Sequence, residues 1–286
     1  MTITSNTNTC QVAIQGYEGS FHQQAAIDFF GEAVTVLPCD TFRQVIDAAS
    51  KDKGIAAGIM AIENSIAGSI LANYTLLQKS KLRVVGEVYL HVKQQLLVNP
   101  GVKLEDIREV HSHHMALLQC MDFLERYPQW KLVETEDTAL SARHIHQRHS
   151  RYQAAIAGKL AAELYGLDIA AKDVHTLQNN YTRFLILKRA EEAEEVVDAN
   201  KASIRFQTDH TKGSLARVLN YIADCDINLS KIQSMPIPGT KFQYAFHADL
   251  EFASLNQYAQ LWQGLQGITS GLAEYGIYKS NQNGKP

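Results

Sequence analysis

Gln178-Asn179-Asn180-Tyr181-Thr182-Arg183 sets three side-chain amides, a hydroxyl and a guanidinium just before the apolar run Phe184-Leu185-Ile186-Leu187. Amide side chains bond to nearby backbone and favour turns, whereas the apolar run reads as a short buried strand. Thr182 and Arg183 are therefore expected where a polar loop enters a sheet, a place that holds a hydroxyl rigidly and leaves it open to a ligand. The plainer alternative is a β-branched residue opening a strand, with Arg183 solvated. Glu63-Asn64-Ser65 and Ser112 also stand where a strand gives way to a polar cap. Gln119 follows Ser112 by seven positions, so two helical turns would bring both to one face. Free N–H groups and the positive end of the helix dipole at such caps suit carboxylates or phosphates. These residues predict a pocket for a small anion and do not name a reaction.

Other chemistries find less support. The histidines cluster at His111, His113 and His114 and again at His144, His146 and His149, without a His-Glu-x-x-His spacing. The four cysteines, Cys10, Cys39, Cys120 and Cys225, form no Cys-x-x-Cys pair. No metal site is expected, and the thiols read as reduced residues of a cytoplasmic protein. A net charge of -3 over 286 residues, with no basic stripe, gives no nucleic-acid footprint. No apolar run reaches membrane-spanning length, and the polar Met1–Thr9 reads as a frayed leader, not a signal peptide.

The elements that must position these groups alternate. Val12–Ile14, Val34–Leu37 and Gly54–Ile62 read as strands, with helices over Phe21–Phe30 and Thr41–Ala49 and a third from Asn64 or Ser65 toward Leu77. The pattern repeats. Strand Glu109–His111 meets cap Ser112 and helix Met115–Tyr127; strand Lys131–Glu134 meets Asp137-Thr138 and a helix through His149. Strand Ala154–Ile156 then meets Gly158 and a helix to Tyr165. Such alternation implies a mainly parallel sheet with helices on its faces, and ligands beyond the strands' carboxyl ends between two α/β lobes. An acidic stretch, Glu191–Asn200, reads as a linker. Beyond it come strand Ser203–Thr208, helix Leu215–Asp224, strands Ile227–Ser234 and Gln243–Glu251, helix Leu255–Thr269 and strand Glu274–Lys279. That is the βαββαβ order of a ferredoxin-like module, with Pro236-Ile237-Pro238-Gly239 as its hairpin signal.

Five stretches in this order resemble prephenate dehydratase with a C-terminal ACT regulatory domain, over about Val12 to Lys279. They are Gly16-Tyr17-Glu18-Gly19-Ser20-Phe21, Ile62-Glu63-Asn64-Ser65, Ser112-His113-His114 with Gln119-Cys120, Asp137-Thr138-Ala139, and Asn180-Tyr181-Thr182-Arg183-Phe184. The resemblance implies a bilobed catalytic domain similar to type 2 periplasmic binding proteins (11–190), a linker (191–201) and an ACT domain (202–280). It implies conversion of prephenate to phenylpyruvate without a cofactor. Thr182 would assist protonation of the leaving hydroxyl, while Asn64, Ser65, Ser112 and Gln119 would hold the substrate's carboxylates and pyruvyl oxygen. Gln119 otherwise reads as a solvated helix glutamine. Glu63 either orients other groups or touches the dianion in protonated form. Arg183 either pairs with a carboxylate or belongs to a structural ion pair.

Within the ACT-like part, Gly213, Ser214 and Leu215 match a Gly-Ala-Leu-Val-type stretch, and Asn228, Leu229 and Ser234 match an Asn-Leu-Thr-Lys-Ile-Glu-Ser-Arg-Pro-type stretch. The resemblance makes these an L-phenylalanine effector site in a homodimer or homotetramer. Gln233 and Met235 replace a Glu and an Arg of that pattern, which leaves the strength and sign of control open. No chorismate mutase segment is read ahead of Val12. The rivals are an arogenate dehydratase of the same fold and a non-catalytic amino-acid-sensing binding protein.

Overall fold

Three sheets organise residues 10–237, 239–241 and 243–281, which are those described by a computed structural model of the chain. The leader Met1–Thr9 and Pro238 of the expected hairpin lie outside them. The first sheet runs, in space, Thr35–Cys39, Gln11–Gln15, Ala57–Asn64, Tyr181–Arg189 and Leu82–His91, with Gly68–Ser69 paired onto Ala57–Asn64. The second runs Asp168–Ala171, Gln95–Val98, Gln153–Ala157, Glu109–His113 and Lys131–Thr135.

The two sheets are mixed rather than mainly parallel. Gln11–Gln15 and Glu109–His113 pair parallel with both neighbours. Tyr181–Arg189 and Gln95–Val98 pair antiparallel with both of theirs. These antiparallel strands flank the two places where the chain passes between lobes, around residues 92–94 and 172–180. A chain that leaves a lobe and comes back re-enters its sheet in the opposite sense.

Helices start where a side chain can take up free backbone N–H groups. Ser20 caps Phe21–Phe30, Thr41 and Gln44 form a capping box on Phe42–Lys51, and Asp137 caps Thr138–Gln147. Two expected helices differ. Asn64 starts none: its Oδ1 accepts from the N–H groups of Ile66 and Ala67 at 3.0 and 2.8 Å, turning the chain back, and a helix forms only at Leu71–Lys79. The helix expected over Met115–Tyr127 begins at His114, capped by His113 rather than Ser112, and breaks at Cys120 into His114–Gln119 and Met121–Leu124.

The third sheet has the spatial order Asn228–Pro236, Tyr244–Glu251, Lys201–Gln207, Ser270–Tyr278 and is antiparallel throughout. Helices Ser214–Asp224 and Leu255–Ile268 share a core with it, giving the ferredoxin-like arrangement. This unit is packed onto the first lobe: Met235, Tyr275 and Tyr278 share one apolar core with Met60, Ile62, Leu77 and Leu185. A Cβ added to Gly276 would lie 1.9 Å from the Val84 carbonyl oxygen, so the two backbones approach as only glycine permits.

Candidate active site

Thr182 is the second residue of strand Tyr181–Arg189, where the polar loop enters the sheet, directly opposite Asn64 in the register of Ala57–Asn64. Its Oγ1 accepts a hydrogen bond from Asn64 Nδ2 at 3.0 Å. The orientation of that amide follows from its other face, since Asn64 Oδ1 already accepts two backbone N–H groups. The Nδ2 end also reaches Asn180 Oδ1 at 2.7 Å and the Tyr181 carbonyl at 3.1 Å. Asn180 in turn donates to Gln119 Oε1 at 3.2 Å, so a chain of amides runs from Thr182 across to the second lobe. Ser65 ties the same turn to the chain crossing, donating to the Asn179 carbonyl at 3.0 Å and accepting from Tyr181 N at 2.9 Å. Thr182, Asn64, Ser65 and Gln119 are thus brought together, and Asn180, a motif residue given no role from sequence, is the buried link between them.

The remaining expected site residues lie elsewhere. Ser112 is fully buried within strand Glu109–His113 and donates to the Ile156 carbonyl at 2.6 Å, so its hydroxyl serves the sheet. Arg183 and Glu63 form the next register pair after Thr182 and Asn64 and face the other way. Arg183 is buried and is neither solvated nor in the cleft. Its Nε donates to Glu87 at 2.7 Å, Nη1 to Asp249 and Nη2 to the Tyr278 hydroxyl at 3.0 Å. Lys201 donates to both Glu87 oxygens at 2.9 Å, completing a buried cluster of two cations and two anions. Burial works against the Asp249 charge, but Arg183, Lys201 and Ser203 hold its carboxyl below the usual range. Glu63 pairs with Lys231 of the C-terminal unit.

A cavity of about 410 Å³ opens between the lobes. Its walls include Gly19, Ser20, Phe21 and Leu90 of the first lobe, Gly158, Lys159 and Ile169 of the second, and Lys93 and Lys172 of the crossings. Leu90 stands opposite Thr182 on strand Leu82–His91 and on the same face, so the cavity wall begins one strand from the threonine. Lys93, Lys159 and Lys172 outnumber the one acidic wall residue, Asp173, although Lys159 also meets Glu163 at 2.7 Å. These lysines carried no signal in sequence, because residues 93, 159 and 172 converge only through the crossings. The crossings are bonded to each other: Gln95 and Asp173 exchange two 3.0 Å bonds, and Val92 N donates to the Asn180 carbonyl at 2.7 Å.

The lobes also meet directly. Tyr165 donates to the Glu18 carbonyl at 2.8 Å, and a Cβ on Gly19 would lie 3.0 Å from Ala161 Cα at a backbone φ of +86°. Asp137, of the expected Asp-Thr-Ala stretch, approaches Gly16 across the cleft, and burial pushes its carboxyl up against the pull of the N–H groups it caps. Among the described residues, no group of three or more His, Cys, Asp or Glu is placed to hold a metal. No described helix is long and apolar enough to cross a membrane.

In the C-terminal unit, Gly213 takes φ +80° and opens helix Ser214–Asp224; Ser214 Oγ donates to the Asp209 carbonyl at 2.6 Å, and Leu215 packs on the core. Asn228, whose Nδ2 donates to Glu251 at 3.1 Å, and the exposed Ser234 lie on edge strand Asn228–Pro236, with Leu229 turned into the core. Met235 is buried against the first lobe, so the residue that replaces the pattern's arginine supplies apolar contact.

Fold and site together define a two-lobed α/β enzyme with its polar relay gathered at the interlobe crossings. Residues 12–192 match the family model described as prephenate dehydratase. The chain belongs to the prephenate dehydratase family, whose members are hydro-lyases. It is 36% identical over 265 residues to arogenate dehydratase/prephenate dehydratase 2, chloroplastic, of Arabidopsis thaliana, covering 90% of this chain and 69% of that one. Its structure is similar to that of an Arthrobacter aurescens prephenate dehydratase in complex with L-Phe, with a TM-score of 0.82 and 26% identity over 96% of this chain and 92% of that one. A structure described as GqqA, a novel type of quorum quenching acylase, is similar too, with a TM-score of 0.84 and 27% identity over 96% of this chain and 100% of that one.

Proposed function

We propose that the chain converts prephenate to phenylpyruvate in phenylalanine synthesis, with Thr182 acting on the leaving hydroxyl. One observation carries the assignment of Thr182: its oxygen accepts from Asn64, so its own proton is left to be donated elsewhere. In the reaction the ring C–O bond breaks as its oxygen gains a proton and departs as water. The bond to the ring carboxylate also breaks, releasing CO2, and its electron pair completes the aromatic ring. Aromatisation supplies the driving force, so the residues have to orient a dianion, support the departing oxygen and keep water from the carboxylate. Lys93, Lys159 and Lys172 would attract the dianion into the interlobe cavity. Asn64, Ser65, Asn180 and Gln119 would hold the polar end of the site in register.

A second substrate, arogenate, is favoured by the name of the Arabidopsis relative. The three lysines of the lining, against the single carboxylate of Asp173, argue for prephenate instead, because arogenate adds an ammonium to the same cavity. L-phenylalanine would bind the ACT domain (202–280) at Gly213–Leu215 and Asn228–Ser234. Support comes from the Arthrobacter aurescens structure, which is in complex with L-Phe. A cytoplasmic homodimer or homotetramer, with the catalytic domain over 11–190 and a linker over 191–201, completes the proposal. The test is phenylpyruvate formation by the wild type and by Thr182→Ala, with prephenate and arogenate side by side. Rapid turnover of prephenate and a loss of about 10²-fold or more in the variant are expected. Equal rates would remove Thr182 from the chemistry, and turnover of arogenate alone would replace the substrate.

A further inference from the structure

One register step separates two faces of the same strand pair. Asn64 and Thr182 form one cross-strand pair and Glu63 and Arg183 the next. Because side chains alternate, the first pair faces the cleft and the second faces the C-terminal unit. There the second pair meets another cross-strand pair, Lys231 and Asp249, in the third sheet. The signs are complementary: Lys231 pairs with Glu63, and Asp249 pairs with Arg183. Lys231 also donates to Ser69 at 2.7 Å, and Ser69 lies opposite Glu63 in the small hairpin, so one ammonium clips both of its strands.

The two ion pairs differ in depth. Arg183 is 4% exposed and shares its carboxylates with Lys201 and Ser203, which makes it an anchor. Lys231 and Glu63 have 18% and 29% of their side chains exposed, and Lys231 sits on the edge strand of its sheet. A register shift between Arg183 and Phe184 interrupts the ladder at this level. Both pairs lie beyond that shift, so their facing relative to each other follows the ladder while their placement relative to the rest of the sheet does not.

We propose that Lys231, Glu63, Arg183 and Asp249 form a clasp by which the C-terminal unit sets the geometry of the Asn64–Thr182 pair from behind. Lys231 is the adjustable member. It is a positioning residue that acts through Glu63 on Asn64, so displacement of strand Asn228–Pro236 alters the hydrogen bond that Thr182 accepts. The inference rests on the proposed role of Thr182, but its structural half can be read without substrate.

The experiment uses the full chain with Lys231→Met, which keeps the apolar stem, Lys231→Arg as the conservative rescue, and the near-isosteric Glu63→Gln as an independent break of the same pair. Amide exchange at Ser65, Ile66 and Ala67, whose N–H groups bond to Tyr181 O and Asn64 Oδ1, should quicken by about tenfold or more in Lys231→Met and Glu63→Gln. Exchange in Gln11–Gln15 should not change, and Lys231→Arg should restore the wild-type pattern. With prephenate, the same two variants should lose about tenfold in kcat with KM within about twofold, because orientation rather than binding is lost. Unchanged exchange overturns the clasp. Faster exchange with unchanged kcat overturns its catalytic role. A wild type that turns over no prephenate would sink the proposed function, and the exchange result would still decide whether Lys231 holds this turn.

Discussion

A threonine hydroxyl carries one proton and can also accept, and at Thr182 the accepting side is occupied by Asn64 Nδ2. Asn64 is directed in turn by the two backbone N–H groups on its oxygen. Asn64→Asp separates the two duties of this side chain. A carboxylate still accepts from Ile66 and Ala67 but no longer donates to Asn180 Oδ1 and the Tyr181 carbonyl, so the turn is kept and the melting temperature should fall less than in Asn64→Ala. The second oxygen, however, becomes an acceptor facing Thr182 and captures its proton, beside a substrate that is itself a dianion. The expected outcome is a loss of about 10² in kcat/KM with prephenate, measured beside Asn64→Ala, which loses both the turn and the donor. A melting temperature that falls as far in Asp as in Ala would show that the turn does not depend on the Oδ1 acceptor.

At the scale of the elements, the interior strand Tyr181–Arg189 carries the cleft hydroxyl on one face and the Arg183 anchor on the other. Removing that anchor as Arg183→Met leaves Lys201 on Glu87 and the Ser203 hydroxyl on Asp249 in place of a cation shared by both. An uncompensated buried charge of this kind costs about 3–5 kcal/mol, a loss that urea unfolding would register as a lower midpoint with an unchanged slope. The motif that contains both residues could be found in sequence because amides, hydroxyl and apolar run are contiguous. Which of its members faces the substrate could not, because facing depends on register, and the register is interrupted at Arg183. The same limit applies to Asn64 and Ser112. Asn and Ser are cap-forming types, yet Asn64 spends its oxygen on a turn and Ser112 stays inside its strand. Strands Leu82–His91, Gln95–Val98 and Asp168–Ala171 escaped detection for related reasons. Gly86 and Glu87 break the apolar pattern of the first, and the other two span four residues each, too few to display a period.

For the whole molecule, the contact between the first lobe and the C-terminal unit contains a titratable ring. His247 is 2% exposed, 4.9 Å from the ring of Tyr74 and 5.4 Å from that of Tyr275. Burial pushes its pKa down to about 4, with Arg205 adding to the shift and Asp249 opposing it. Between that value and the ordinary imidazole pKa of about 6.5, the unfolded chain binds the proton more readily. Acidification through this window therefore removes up to about 1.4 kcal/mol of stability per pH unit through His247 alone, and above about pH 7 the ring has no effect on the slope. His247→Phe should keep the stacking and flatten the pH dependence between 6.5 and 4 relative to wild type; parallel curves for the two proteins would exclude the ring as the titrating group. A different consequence follows from the chain's double passage between lobes. The five strands of the second sheet all fall within Gln95–Ala171, but the first sheet lacks an interior strand until Tyr181–Arg189 has been made. During synthesis from the N-terminus the later lobe can close first. The earlier one waits at the ribosome with strands Ala57–Asn64 and Leu82–His91 open along the edges they will share with the missing strand, the interval in which this chain is most exposed to aggregation.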